Sequence, residues 1–140
     1  MGPPYTGRCA CGSVTASISG EPLRVGQCWC RQCQRLASGG PTNNAIFETG
    51  AVTLAGEVSR HAYPSDSGNT VYQDFCPACG TAVLCTTKAR PQFTGFRLGF
   101  LDDGHGLKPS VAIWLDEAPD WAQIDPSLEQ HRRQPPPPRV

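Results

Sequence analysis

The chain has 140 residues, a length at which one domain buries roughly two-thirds of its unfolded surface, so no crosslink is needed merely to stay folded. Twelve basic residues balance twelve acidic ones, which excludes a strong field drawing the protein to nucleic acid or an anionic membrane. No apolar run reaches the roughly 18 residues of a membrane span, and the opening MGPPYTGRC has no apolar stretch, so a cytoplasmic globular protein is expected.

Ser13 to Ser19 sets Val14, Ala16 and Ile18 against serine and threonine, a period of two that predicts a half-buried strand. Gly20 to Pro22 is a turn, and Leu23 to Trp29 is a second short strand that delivers Cys28. After Cys33, Gln34 to Ser38 has room for one helical turn before Gly39-Gly40-Pro41 stops it. Asn44 to Phe47 and Val52 to Leu54 read as strands parted by Thr49-Gly50. Ser59 to Tyr63 and Thr70 to Phe75 read as a hairpin around the polar turn of residues 64–69. Thr81 to Thr86, Phe93 to Leu101 and Val111 to Leu115 follow as strands. With 15 glycines and 14 prolines punctuating short runs, the expected fold class is mainly β. One domain is expected over residues 1–131, and the proline-rich tail, 132–140 (RRQPPPPRV), is expected to be flexible or extended with no core to join.

Eight cysteines are the anomaly, and seven of them fall in tight groups: Cys9-x-Cys11, Cys28-x-Cys30-x-x-Cys33 and Cys76-x-x-Cys79. Such close neighbours make poor disulfide partners and good joint ligands of one ion, and a reducing cytosol keeps thiols free. In FCPACGT both sulfurs point at one ion, because the glycine after the second cysteine permits the positive φ that turns the chain back. CACG ends the same way, so Cys9, Cys11, Cys76 and Cys79 are expected to form a closed structural zinc site. That site closes a long loop and couples metal binding to folding. Cys28, Cys30 and Cys33 supply three thiolates, the ligand count of a catalytic zinc with one open position. The alternative is closure by a fourth ligand, from Cys85, His61, His105 or His131. Cys85 reads as a core thiol sharing a face with Thr81 and Val83, and the three histidines read as solvated.

The order C-x-C, C-x-C-x-x-C, F-C-x-x-C-G-T resembles the glutathione-dependent formaldehyde-activating enzyme family, also called the GFA or CENP-V-type domain. GRCACGSV, CWCRQCQRLASG, FETGAVTLAG, FCPACGT and LGFLDD…IWLDEAPDW all match its pattern, from Gly7 to about Leu128. The resemblance implies a β-tent fold related to zinc ribbons, with short antiparallel strands around a four-cysteine structural zinc and a second zinc on the middle triplet. It also implies a carbon–sulfur lyase activity that forms or cleaves S-hydroxymethylglutathione, with glutathione as cosubstrate. Trp29 stands where the family often has histidine, Gln34 where many members have arginine, and Ala112 where a histidine often precedes the I-W pair. These positions bear on which thiol and which aldehyde are used.

The expected function is therefore a zinc-dependent carbon–sulfur lyase holding two zinc ions, with a small thiol such as glutathione and a small aldehyde as partners. Arg31 and Arg35 flank the triplet and are candidates to meet ligand carboxylates bidentately, with Trp29 a candidate apolar wall. Two rivals stay open. One is a non-enzymatic zinc scaffold, whose tail would engage a proline-recognising partner. The other is the same enzyme acting on a different thiol or aldehyde.

Overall fold

In the computed structural model, which describes residues 2–139, the chain forms two β-sheets, and the mainly-β expectation holds. The smaller sheet joins β1 (Tyr5–Arg8), β2 (Thr15–Ile18) and β5 (Val52–Ala55), all antiparallel, with Tyr5 opposite Ile18 and Ile18 opposite Val52. The larger sheet is built from β3 (Arg24–Cys28), β4 (Thr42–Glu48), β6 (Ser59–Pro64), β7 (Thr70–Phe75), β8 (Ala82–Thr87), β9 (Phe93–Arg97), β10 (Val111–Ile113) and β11 (Glu129–Gln130). Its strand order is β11-β10-β3-β4-β9-β8-β7-β6. The single α-helix among the described residues, α1 (Arg31–Leu36), follows β3.

Side chains alternate across a strand, so the larger sheet has two chemically distinct faces. Val25, Ala45, Phe47, Leu84 and Phe96 lie on one face and pack against Tyr5, Ala16 and Ile18 of the smaller sheet. Aromatic rings run through this core in series: Tyr5 to Phe47 at 5.8 Å, Phe47 to Phe96 at 6.1 Å and Phe96 to Phe100 at 5.8 Å between centroids. Each such buried side chain stabilises the fold by about 1.5–3 kcal/mol. The opposite face carries Cys28, Asn44, Gln73, Cys85 and Arg97 and lines a cavity of about 460 Å³.

Several elements depart from the sequence reading. The strand expected over Phe93 to Leu101 ends at Arg97, where turn bonds from Phe100 N–H to Arg97 O and from Leu101 N–H to Leu98 O return Phe100 to the core. The helical turn starts earlier than expected because the Cys30 sulfur accepts the Cys33 N–H and so caps it. The strand at Val111 stops at Ile113, since Trp114 takes a left-handed conformation (φ 59°) and turns the chain into a short 3-10 turn, Leu115–Glu117. Pairing is not wholly antiparallel: β10 lies parallel to both β3 and β11. β1 and β11 are too short to show a period and were not expected.

Residues 132–138 lie along the body. Trp114 Nε1–H donates to Gln134 Oε1 at 3.1 Å, Arg24 Nη1–H to Pro136 O at 3.1 Å, and Arg132 pairs with Asp116 at 2.8 Å. Pro135 is buried, so the proline run does have a surface to join. Among the described residues no helix is long and apolar enough to cross a membrane.

Candidate metal centres

Two turns bring the first cluster together. Cys9 follows β1 and Gly12 (φ +81°) turns the chain toward β2, with the Gly12 N–H donating to Cys9 O at 3.0 Å. Between β7 and β8, Gly80 (φ +77°) plays the same part, its N–H donating to Cys76 O at 2.8 Å. The sulfurs of Cys9, Cys11, Cys76 and Cys79 all lie within 4.8 Å of one another. Cys9 to Cys11 is 3.6 Å and Cys11 to Cys76 is 3.7 Å. A tetrahedral zinc with Zn–S near 2.3 Å sets its sulfurs about 3.8 Å apart, so the four fit such an ion.

The backbone and hydroxyls around this cluster favour thiolates. The Thr81 hydroxyl and N–H, with the Cys11 N–H, pull the Cys79 thiol down to about 5. Burial opposes ionisation of Cys9, but the Val14 N–H, Ser13 and the neighbouring thiols outweigh it and lower the group to about 7. The Val14 N–H donates to the Cys9 sulfur at 3.3 Å.

The second cluster sits at the end of β3 and the start of α1, where the sulfurs of Cys28, Cys30 and Cys33 lie within 4.8 Å of one another. Hydrogen bonds from Cys28 and Cys33 pull the Cys30 thiol down to about 3, against its burial. Those same bonds push Cys28 up, with burial adding to the effect. Cys28 pulls Cys33 down, but Cys30 and burial prevail and push it up to about 11. In the metal-free protein ionisation is favoured at Cys30 and opposed at Cys28 and Cys33, so a metal binding all three must displace protons from the latter two.

No histidine or carboxylate among the described residues completes this triplet. His61 stacks on Tyr63 at 5.9 Å, His105 Nδ1 accepts the Leu107 N–H, and His131 meets Glu129. Cys85 also lies outside the cluster, yet it is not a core thiol: it lines the cavity. The cause is a β-bulge. Ala82 pairs with Phe75 and Leu84 with Asp74, leaving Val83 as an extra residue that breaks the alternation between Val83 and Cys85.

The cavity holds the triplet on its floor, with Arg31 and Arg35 among its lining residues. Arg31 Nη1–H donates to Gln34 Oε1 at 3.0 Å, and Gln34 in turn donates to Trp29 O at 2.7 Å and Glu117 O at 2.9 Å. Gln34 thereby pins the helix and the 3-10 turn to the end of β3. Trp29 does not line the cavity. It follows Cys28 directly, so its side chain leaves by the other face, where it is buried, bonded to Gln27 and edge-on to Trp121 at 6.5 Å. An apolar wall at Trp29 is thus corrected by simple alternation.

The sequence reading missed four residues on the cavity floor: Asn44, Tyr63, Gln73 and Arg97. Arg97 is buried, donating through Nη1 to Asn44 Oδ1 and through Nη2 to Gln73 Oε1 at 2.8 Å. The Gln73 Nε2–H donates to Tyr63 Oη at 3.1 Å. One signal was available: Arg97 alternates with Phe96, so a charged residue faces away from the core on a strand buried on both sides.

A protein-family model described as glutathione-dependent formaldehyde-activating enzyme matches residues 4–117. Among solved structures, a Rhodobacter sphaeroides protein shares the fold, with a TM-score of 0.56 at 20% identity, covering 74% of this chain and 91% of that one. No curated protein matches the sequence. With matched residues spanning both cysteine clusters, every strand but the last and most of the cavity lining, the chain belongs to the glutathione-dependent formaldehyde-activating enzyme family.

Proposed function

We propose that the protein is a carbon–sulfur lyase that forms or cleaves a thiol–aldehyde adduct such as S-hydroxymethylglutathione. Cys9, Cys11, Cys76 and Cys79 would hold a structural zinc, and Cys28, Cys30 and Cys33 a second zinc with one position left for the substrate. The observation that carries this reading is the convergence of three thiols, with no fourth ligand among the described residues, on the floor of a cavity of about 460 Å³. That volume lies within the range of small-molecule sites.

A zinc held there would supply a binding position for a thiolate and lower the pKa of the thiol that takes it. The chain's own residues do the rest. Cys28 and Cys33 are buried and Cys30 is part-exposed, so the cluster opens to one side only. Arg31 and Arg35 at the cavity edge can meet the carboxylates of a glutathione-like thiol, which fixes the sulfur's approach.

The test is zinc quantification with and without glutathione in the wild type and Cys30→Ser. The expected result is two ions per chain falling to one, with glutathione affinity lost alongside. Loss of one zinc with no change in thiol binding would remove the reading. Two bound zincs with no thiol affinity in the wild type would favour the scaffold.

A further inference from the structure

The cavity floor contains a cation with no counter-charge. Arg97 is 7% exposed, and none of the ion pairs among the described residues includes it. An unpaired buried charge is costly unless hydrogen bonds and nearby opposite charge compensate it. Burial works against the Arg97 charge, and the Asn44 and Gln73 side-chain oxygens that accept from it compensate part of that cost.

The guanidinium also fixes the direction of every hydrogen bond around it, because it can only donate. Gln73 must turn its oxygen toward Arg97, so its amide N–H faces Tyr63. Tyr63 Oη is then the acceptor in that bond, and its own hydrogen has no protein acceptor among the described residues. The other arm follows the same logic. Asn44 turns its oxygen to Arg97 and its Nδ2–H to Thr42 Oγ1 at 3.0 Å, leaving the Thr42 hydroxyl hydrogen free of that bond. One arm thus ends at the Thr42 hydroxyl, and the other at the Tyr63 hydroxyl, which lines the cavity.

Tyr63 lines the same cavity as the triplet. Its phenol stays protonated, pushed up to about 12 by burial against the Gln73 bond, with Cys33, Cys30 and Cys85 acting in the same direction as burial. The Arg97 Nε–H makes no bond to the protein, and no sealed polar atom lacks a partner, so Nε too opens to the cavity.

We propose that Tyr63 and Arg97 form the site for the aldehyde-derived oxygen of the substrate, with Gln73 as the positioning residue that keeps the Tyr63 hydrogen free to donate. This inference rests on the lyase reading above. When the thiolate sulfur adds to the carbonyl carbon, the carbon–sulfur bond forms and the carbonyl π pair moves onto oxygen. That oxygen then takes up the proton the thiol released to solvent. While it is negative, the Tyr63 hydrogen bond and the Arg97 charge stabilise it. Cleavage runs the same steps in reverse. The carboxylates of the thiol are met elsewhere, by the more exposed arginines Arg31 and Arg35.

The test uses the zinc-loaded full chain with glutathione and formaldehyde, plus formate as a one-carbon oxyanion probe titrated by NMR. Tyr63→Phe is expected to lower kcat about 100-fold, to leave glutathione affinity unchanged and to weaken formate about tenfold. Gln73→Glu is the second variant. It gives Arg97 an ion-pair partner and so keeps the floor intact, but it accepts the Tyr63 hydrogen, and kcat should fall without a change in glutathione affinity. A wild-type kcat in Tyr63→Phe overturns the proposal, and so does an equal loss of kcat and glutathione affinity. If the wild type does not accelerate adduct formation or cleavage over the uncatalysed reaction, the lyase reading falls and formate decides alone. Weaker formate binding in Tyr63→Phe then sustains the oxygen site, and equal or absent binding ends it.

Discussion

Cys30 and Cys79 show how a thiol is readied for a metal by what donates to it. Neither relies on a nearby cation: Cys30 is stabilised by two neighbouring thiols and by the N–H groups of Cys33 and Gln32, and Cys79 by Thr81 and the Cys11 N–H. Their pKa values of about 3 and about 5 lie below the ordinary 9.0. A group whose pKa is lower in the folded state adds stability above its unfolded value, and that stability is lost as pH falls through the folded value. Cys28 and Cys33, pushed up, act only above the ordinary value and leave the neutral range alone. The metal-free protein is therefore expected to be more stable at pH 8 than at pH 6. Urea melts of chelator-treated, reduced protein at the two values check this. A midpoint that rises on acidification would contradict it.

At the scale of elements, β3, β4, β7, β8 and β9 each serve two purposes, one face building the core and the other the cavity. The division follows the period of two, and the bulge at Val83 shifts the parity and sends Cys85 to the cavity. The tail adds a further wall, with Gln134, Pro137 and Pro138 lining the cavity. Deleting residues 132–140 removes the burial of Pro135 and the bonds from Trp114 and Arg24. The exposed Arg132–Asp116 pair adds little. The loss is expected to be about 1–2 kcal/mol, or roughly 3–6 °C in Tm, with a protein that still folds. An unchanged melt by circular dichroism would mean that the tail does not hold to the body.

For the whole molecule, the four-cysteine cluster joins the turn between β1 and β2 to the turn between β7 and β8, across 65 residues of chain between Cys11 and Cys76. It clamps the small sheet to the large one at the edge of the shared core, where Cys9 and Cys76 are themselves buried. Apparent binding energies of structural zinc, about 10–16 kcal/mol, match or exceed the roughly 5–15 kcal/mol stability of a typical domain. Cys76→Ser or strong chelation is thus expected to remove much of the stability, leaving a fold that melts at far lower temperature and urea concentration. Cys30→Ser, which touches only the triplet, should leave the melt within a few degrees. Thermal melts of both variants check the division, and similar losses in the two would erase the distinction between a structural and an open site.

Residue order alone was enough to read the cysteine groups and the fold class. Ligands two or three residues apart converge by local turn geometry, so Cys9-x-Cys11, Cys28-x-Cys30-x-x-Cys33 and Cys76-x-x-Cys79 could be grouped without coordinates. Alternation at Val14, Ala16 and Ile18 likewise reports a half-buried strand directly. What surrounds the triplet was settled in three dimensions. Asn44, Tyr63, Gln73 and Arg97 come from four strands, with Asn44 and Arg97 lying 53 residues apart, and they meet because of sheet register, which no local spacing encodes. The same holds for Trp29, whose neighbour Cys28 took the cavity face, and for Cys85, which one extra residue in β8 turned from the core to the site. Local chemistry is written in spacing, whereas a cavity is written in which strands pair and on which face each side chain falls.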